Sequence, residues 1–291
     1  MLGKYKWTLM ITLFMLALMT AFLLQGVNRS NASGDLSDPF LDPYALSLAH
    51  RHEGPGLESA AEKSVQIQLA WPQGEVIAGA QSLLSLTVRG GKGEPIEDFE
   101  VTNEKLLHLI AVSEDLQQFQ HVHPVYKGKG IFELPIVFPQ GGAYKLYADF
   151  LPKGMNELTR MGEVSVRGEP PAPSIMKPSE TLVAQVNGMR VELSLGEEPL
   201  PQTQMSMAYT FTDAKTGEPI DDLELYLGAV GHVVAIDQSK RQFIHIHPLN
   251  WASKGPQAVF GVSFPESGLY KLWGQFQRNG ETFVVPFVVK I

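Results

Sequence analysis

Six of the eight histidines in this chain fall into one pattern written twice. The first copy is His108, then His121-Val122-His123-Pro124; the second is His232, then His245-Ile246-His247-Pro248. Both read H-x12-H-x-H-P, and a phenylalanine stands two residues before each His-x-His (Phe119 and Phe243). Imidazole is the commonest protein ligand for zinc, copper and nickel. Three neutral imidazoles suit Cu(II), Zn(II) or Ni(II), and by intrinsic affinity copper leads; in a thiolate-free chain expected outside the cytoplasm, Cu(II) is the first expectation and Zn(II) the second. Three protein ligands also leave an open position, the stoichiometry of a catalytic zinc site. No general base stands at a motif-like spacing, however. The chain lacks a Walker loop, a Rossmann glycine fingerprint, Gly-x-Ser-x-Gly and His-Glu-x-x-His. Metal binding without turnover is the first expectation, and a metal-dependent enzyme is the remotest.

Strands must position these rings. Residues i and i+2 of a strand share a face, so His121 and His123 point the same way, as do His245 and His247. Val122, Ile244 and Ile246 alternate with them and belong to the core, which turns the imidazoles outward or into a rim. If Leu106–Ser113 and Gln118–Pro124 pair antiparallel through the Glu114–Gln117 loop, His108 lies opposite His123. Across the 238–241 loop, His232 lies opposite His247. Opposed Cβ atoms are about 4.5–5.5 Å apart, so each copy gathers three imidazoles on one face: His108, His121 and His123, then His232, His245 and His247. A slip of one residue would destroy both sets. The competing reading is structural: the rings hydrogen-bond loop backbone and brace hairpins.

Other candidates are weaker. His50 and His52 could add a flexible ligand arm or simply be solvated. Met205 and Met207 share a strand face and could suit Cu(I), although core packing explains them. The acid pairs Glu97-Asp98 and Asp221-Asp222 point to opposite strand faces and lack a calcium-loop pattern.

The repeat extends beyond the histidines. Gly93-Glu94-Pro95-Ile96 recurs as Gly217-Glu218-Pro219-Ile220, and Gly142-Ala143-Tyr144-Lys145-Leu146 as Gly268-Leu269-Tyr270-Lys271-Leu272. Each copy carries about seven short strands, such as Leu182–Leu195 and Leu225–Ile236, punctuated by Gly/Pro turns. That pattern predicts an all-β chain: two tandem immunoglobulin-like β-sandwich domains after an N-terminal hydrophobic helix. Tyr144 and Tyr270 resemble the tyrosine corner of such folds, or are plain core aromatics. The expected organisation is a signal peptide or anchor at 1–32, a flexible tether at 33–63, a first domain at 64–168, a Pro-rich linker at 169–179 and a second domain at 180–291.

The formal net charge of −8 argues against nucleic acid as a partner. With no cysteine there is no disulfide framework, thiolate metal site or lipobox anchor. Lys4 and Lys6 precede an apolar run from Trp7 to Leu24, so the expected location is the cell envelope, outside the cytoplasm. The chain is either anchored in the membrane by residues 7–24 or secreted after cleavage near Ala32.

At His108, Asp115-Leu116, Phe119, His121, His123 and Pro124 the chain resembles bacterial extracytoplasmic β-sandwich proteins with a His…Asp-Leu-x-x-Phe-x-His-x-His-Pro signature. More loosely it is similar to the YtkA-like and CopC-like domains of envelope metal handling. The second copy keeps His232, Phe243, His245, His247 and Pro248 but has Ser239-Lys240 in place of Asp-Leu. The resemblance implies an immunoglobulin-like fold and copper association. It fits a role in metal buffering, delivery or sensing, with an envelope metal-transport or redox protein as partner.

Overall fold

Alternation of apolar and polar side chains writes most strands of this molecule, and the exceptions mark the site. The computed structural model describes residues 58–172, 174–196 and 198–291. The apolar run 7–24, Ala32, His50 and His52 lie outside them. No helix among the described residues is long and apolar enough to cross a membrane.

The first domain contains β1 (Gln66–Ala70), β2 (Val76–Ile77), β3 (Gln81–Arg89), β4 (Phe99–Glu100), β5 (Leu107–Ser113), β6 (Phe119–Val122), β7 (Val125–Gly128), β8 (Ile131–Val137), β9 (Gly142–Pro152) and β10 (Leu158–Arg167). The second contains β11 (Val183–Val186), β12 (Met189–Ser194), β13 (Met205–Asp213), β14 (His232–Asp237), β15 (Phe243–Pro248), β16 (Gln257–Val262), β17 (Leu269–Arg278) and β18 (Glu281–Lys290). In the first domain one sheet runs β1-β3-β8-β7 and the other β2-β10-β9-β5-β6. In the second, β11-β12-β13-β16 continues through β15 into β14-β17-β18. Each domain is an immunoglobulin-like sandwich. Both tyrosine corners form: the Tyr144 hydroxyl donates to the Gln140 carbonyl at 3.1 Å and that of Tyr270 to the Glu266 carbonyl at 3.0 Å.

On β3, Leu84, Leu86 and Val88 face the core while their neighbours are partly exposed. β5 breaks this rule, being buried at every position. Its Leu107, Leu109 and Ala111 enter the first domain's core. Ile110 and Val112 instead join a third cluster with Tyr147 of β9 and with Val234, Ile236 and Trp273 of the second domain. The two sandwiches belong to one compact unit and pack through the sheets that carry the histidines. Phe119 stacks on Trp273 (4.9 Å between centroids) and Phe243 on Tyr147 (5.0 Å), the same contact made twice with the domains exchanged.

Three expectations need correction. The body of the first domain begins before residue 64: Ala60–Ser64 form a one-turn helix, α1, capped by Ser59 and Glu62 in a capping box. Arg160 Nε binds the Val65 carbonyl at 2.7 Å, and Asn156 N donates to Glu62 Oε1 at 2.8 Å. The end of the expected tether is therefore part of the fold. Leu182–Leu195 is a hairpin, because Asn187-Gly188 takes up positive φ and turns the chain between β11 and β12. Leu225–Ile236 is a strand only from His232, because Leu227-Gly228 make a tight positive-φ turn before it.

Gly274 on β17 answers a close approach: a Cβ there would lie 2.7 Å from the Phe276 ring and 2.9 Å from the Tyr209 ring. Gly274→Ala is expected to cost about 1–3 kcal/mol by overpacking, read as a fall in denaturant midpoint at unchanged m-value.

Candidate metal centre

The hairpin register is the one that the histidine spacing requires. In the β5–β6 pairing Leu109 faces Val122 and Ile110 faces His121, so the next step sets His108 against His123. In the β14–β15 pairing Val233 faces Ile246, which sets His232 against His247. The face they occupy differs from the expected rim. The imidazoles turn away from their own core but meet the other domain, and His108 and His232 are at most 1% exposed. Rings from the two copies come close: His108 lies 6.3 Å from His232 and 5.7 Å from His245, and His121 lies 6.0 Å from His232.

Hydrogen bonds fix the ring tautomers. His108 Nε2 lies 2.9 Å from the Thr102 carbonyl, which can only accept, so Nε2 carries the proton and Nδ1 the lone pair. His121 Nδ1 lies 2.6 Å from Gln275 Oε1; with the amide oxygen as acceptor, Nδ1 carries the proton and Nε2 the lone pair. These two lone-pair nitrogens face each other at 3.0 Å. In this tautomer pair no proton joins them, and two nitrogens sharing one ion at about 2.0–2.1 Å each would lie roughly 2.9–3.4 Å apart.

The second copy repeats the scheme. His232 Nε2 donates to the Tyr226 carbonyl at 3.0 Å, and His245 Nδ1 to Asp149 Oδ2 at 2.7 Å. Their other nitrogens, His232 Nδ1 and His245 Nε2, are buried without a hydrogen-bond partner, as is His123 Nε2. Metal-binding histidines characteristically donate the far ring N–H to a carbonyl or carboxylate.

Burial keeps the rings neutral. It lowers His108 from its ordinary 6.5 to about 4, with the charge of His245 adding to the effect. Burial, then His108, lowers His123 to about 3. Burial also pushes His121 and His232 well below their usual value, helped by neighbouring histidines. At pH 7 these four therefore offer lone pairs, as ligation requires. Asp149 is only 2% exposed. Burial raises its carboxyl, but the hydrogen bond and charge of His245 outweigh this and hold it below the usual range. Glu157 is pushed well above its range, by burial first and the Asp149 charge second.

The structure gathers His108, His121 and His123, whose ligand atoms all lie within 4.8 Å of one another. It does not gather the second set in that way. Among the described residues His245 instead shares such a group with Asp149 and Glu157. His247 stays beside His245 at 4.6 Å but lies against Trp251 (6.0 Å between ring centroids), with Asn103 Nδ2 3.5 Å from its Nε2. Motif reading missed Asp149, Glu157 and Gln275. No spacing rule marks Asp149 and Gln275. They enter because β9 pairs with β5 (His108 opposite Asp149) and β17 with β14 (His232 opposite Gln275).

Fold and site together define a tandem β-sandwich protein with a histidine cluster between its domains. The chain belongs to the family described as "Domain of unknown function (DUF8832)", which matches it twice, at residues 60–167 and 184–291. No curated protein matches it in sequence. Among solved structures it is similar to the Escherichia coli adhesin FdeC (16% identity, TM-score 0.27, 81% of this chain and 65% of that chain). It is also similar to a Salmonella alpha-2-macroglobulin (14%, 0.27, 87% and 16%) and to a two-domain fibronectin type-III segment of chicken tenascin (11%, 0.23, 78% and 98%). The chain thus spans less than two thirds of the length of the first two.

Proposed function

We propose that this protein binds a divalent transition-metal ion, copper first and zinc second, at the histidine cluster between its domains. One observation carries the reading: the lone pairs of His108 Nδ1 and His121 Nε2 face each other at 3.0 Å, with His123 close enough to complete a three-nitrogen set. The basic, apolar N-terminus (Lys4, Lys6, Trp7 to Leu24) supports a place outside the cytoplasm. The role is buffering, delivery or sensing of metal at the envelope, in exchange with a metal-transport or redox protein there. It is that of a binder, not an enzyme.

Calorimetric titration with Cu(II) and Zn(II) tests this. Tight copper binding is expected, weakened in His121→Ala by more than the ~10–100-fold typical of losing an outer-shell partner. Absence of binding by either ion overturns the proposal. A structural reading draws on the rings' contacts with the Thr102 and Tyr226 carbonyls and on the apolar cluster beside them. It predicts a melting temperature indifferent to either metal.

A further inference from the structure

The two copies of the histidine pattern do not face separate solvent. They face each other, and their outer partners cross between domains. His121 of the first domain is held by Gln275 of the second, while His245 of the second is held by Asp149 of the first. His108 and His232 are each held by a carbonyl six residues upstream in their own domain, Thr102 and Tyr226. The four anchors are thus related by the same pseudo-twofold exchange as the Phe119–Trp273 and Phe243–Tyr147 stacks.

Of the nitrogens left for a ligand, His108 Nδ1, His121 Nε2, His232 Nδ1 and His245 Nε2 belong to the four rings that approach one another across the domains; His123 Nε2 is likewise buried without a partner. Of the four, His108 Nδ1 and His121 Nε2 face each other. The other two are buried without a partner, on side chains well over nine-tenths buried for His232 and 6% exposed for His245. A buried polar atom without a partner calls for an ion or a water. The ring centroids of these four residues lie 5.2, 5.7, 5.8, 6.0 and 6.3 Å apart in the pairs that approach. Four imidazoles on one tetrahedral ion at about 2.0–2.1 Å per bond would have centroids roughly 5 Å apart. The widest of these pairs, His108–His232 at 6.3 Å, stands about 1 Å beyond that spacing, so the two domains must close on the ion for all four rings to reach it.

We propose that His108, His121, His232 and His245 form one four-imidazole centre shared by the two domains, taking a single borderline divalent ion of the copper or zinc class. Gln275 and Asp149 are positioning residues: each reaches from one domain to set the tautomer and direction of a ring on the other. His123 and His247 flank the centre. The inference rests on the proposed metal binding but puts His232 and His245 of the second domain in place of His123 as ligands, so that neither domain alone holds the complete set.

The test loads the full chain with Cu(II) and reads stoichiometry by native mass spectrometry and ligand number by pulsed electron paramagnetic resonance. One ion per chain with four coordinating imidazole nitrogens is expected. His121→Ala and His232→Ala, although in different domains, should each lower affinity at least tenfold. Gln275→Ala should change the copper spectrum, and Gln275→Glu, which keeps the acceptor oxygen, should restore it. Two ions per chain, with His232→Ala removing one and leaving the other at full affinity, would overturn the shared centre while leaving the proposed function standing. No bound copper at all would overturn both. The spectrum of the unsubstituted chain decides the question even where a variant fails to fold: three or fewer imidazole nitrogens sinks the proposal.

Discussion

Lowering the pH from 7 to 5 is expected to destabilise the metal-free protein by several kcal/mol. Four histidines drive this, three of them buried and His123 half-buried. Their proton affinity in the folded state is depressed, to about 4 for His108 and about 3 for His123, and well below 6.5 for His121 and His232. Between about pH 6.5 and pH 4 the unfolded chain therefore binds more protons than the folded one, and stability falls as pH falls. Each group contributes at most about 1.4 kcal/mol per pH unit in that window. Glu157 works in the opposite direction, because its raised carboxyl takes up a proton in the fold before it would in the unfolded chain. It is one group against four, so the histidines set the sign. Asp149, held low, loses its contribution only below the usual carboxylate range and stays out of the window. Thermal unfolding of chelator-treated protein at pH 7, 6 and 5 measures the effect. A melting temperature flat across that range would mean that the rings are hydrated and the packed interface is absent.

Strand pairing accounts for what could be read in advance and for what could not. The H-x12-H-x-H-P spacing dictates a short hairpin with one register, and both hairpins have it, because Val122 and Ile246 must enter their own cores. The same alternation says only that the histidines leave that core, not what they meet. What they meet is the other domain, and the sign of this lay in β5 and β14. Ile110, Val112, Val234 and Ile236 are apolar on the face that a two-layer sandwich would give to water. Two internal turns, Asn187-Gly188 and Leu227-Gly228, were hidden inside apolar runs long enough to read as single strands. Asp149 and Gln275 were invisible for a deeper reason. They occupy matching places in the two copies but differ in type, so a search for repeated residues passes over them, and only the β5–β9 and β14–β17 pairings bring them beside the rings.

Trp273→Ala should expose the site and test the interface that encloses it. Trp273 is 3% exposed, stacks on Phe119 at 13° and carries the Lys271 ammonium 5.6 Å from its ring centre. It sits in the apolar layer that seals the histidines between the domains. Removing so large a buried ring costs about 3–5 kcal/mol, or roughly 6–20 °C in melting temperature for a body of this size. The loss falls on the interface, so water reaches the cluster. The imidazoles of His108 and His121 then regain their hydration and titrate closer to 6.5, because burial is the largest cause of their depression. Nuclear magnetic resonance titration of the ring protons reads this directly. Phe132→Ala provides the contrast. Phe132 is buried in the first domain's own core, against Phe99 and Tyr126, so it should lose comparable stability while the histidine titrations stay depressed. If Trp273→Ala left those titrations where they were, the second domain could not be what keeps the rings dry, and the enclosed site between the domains would lose its physical basis.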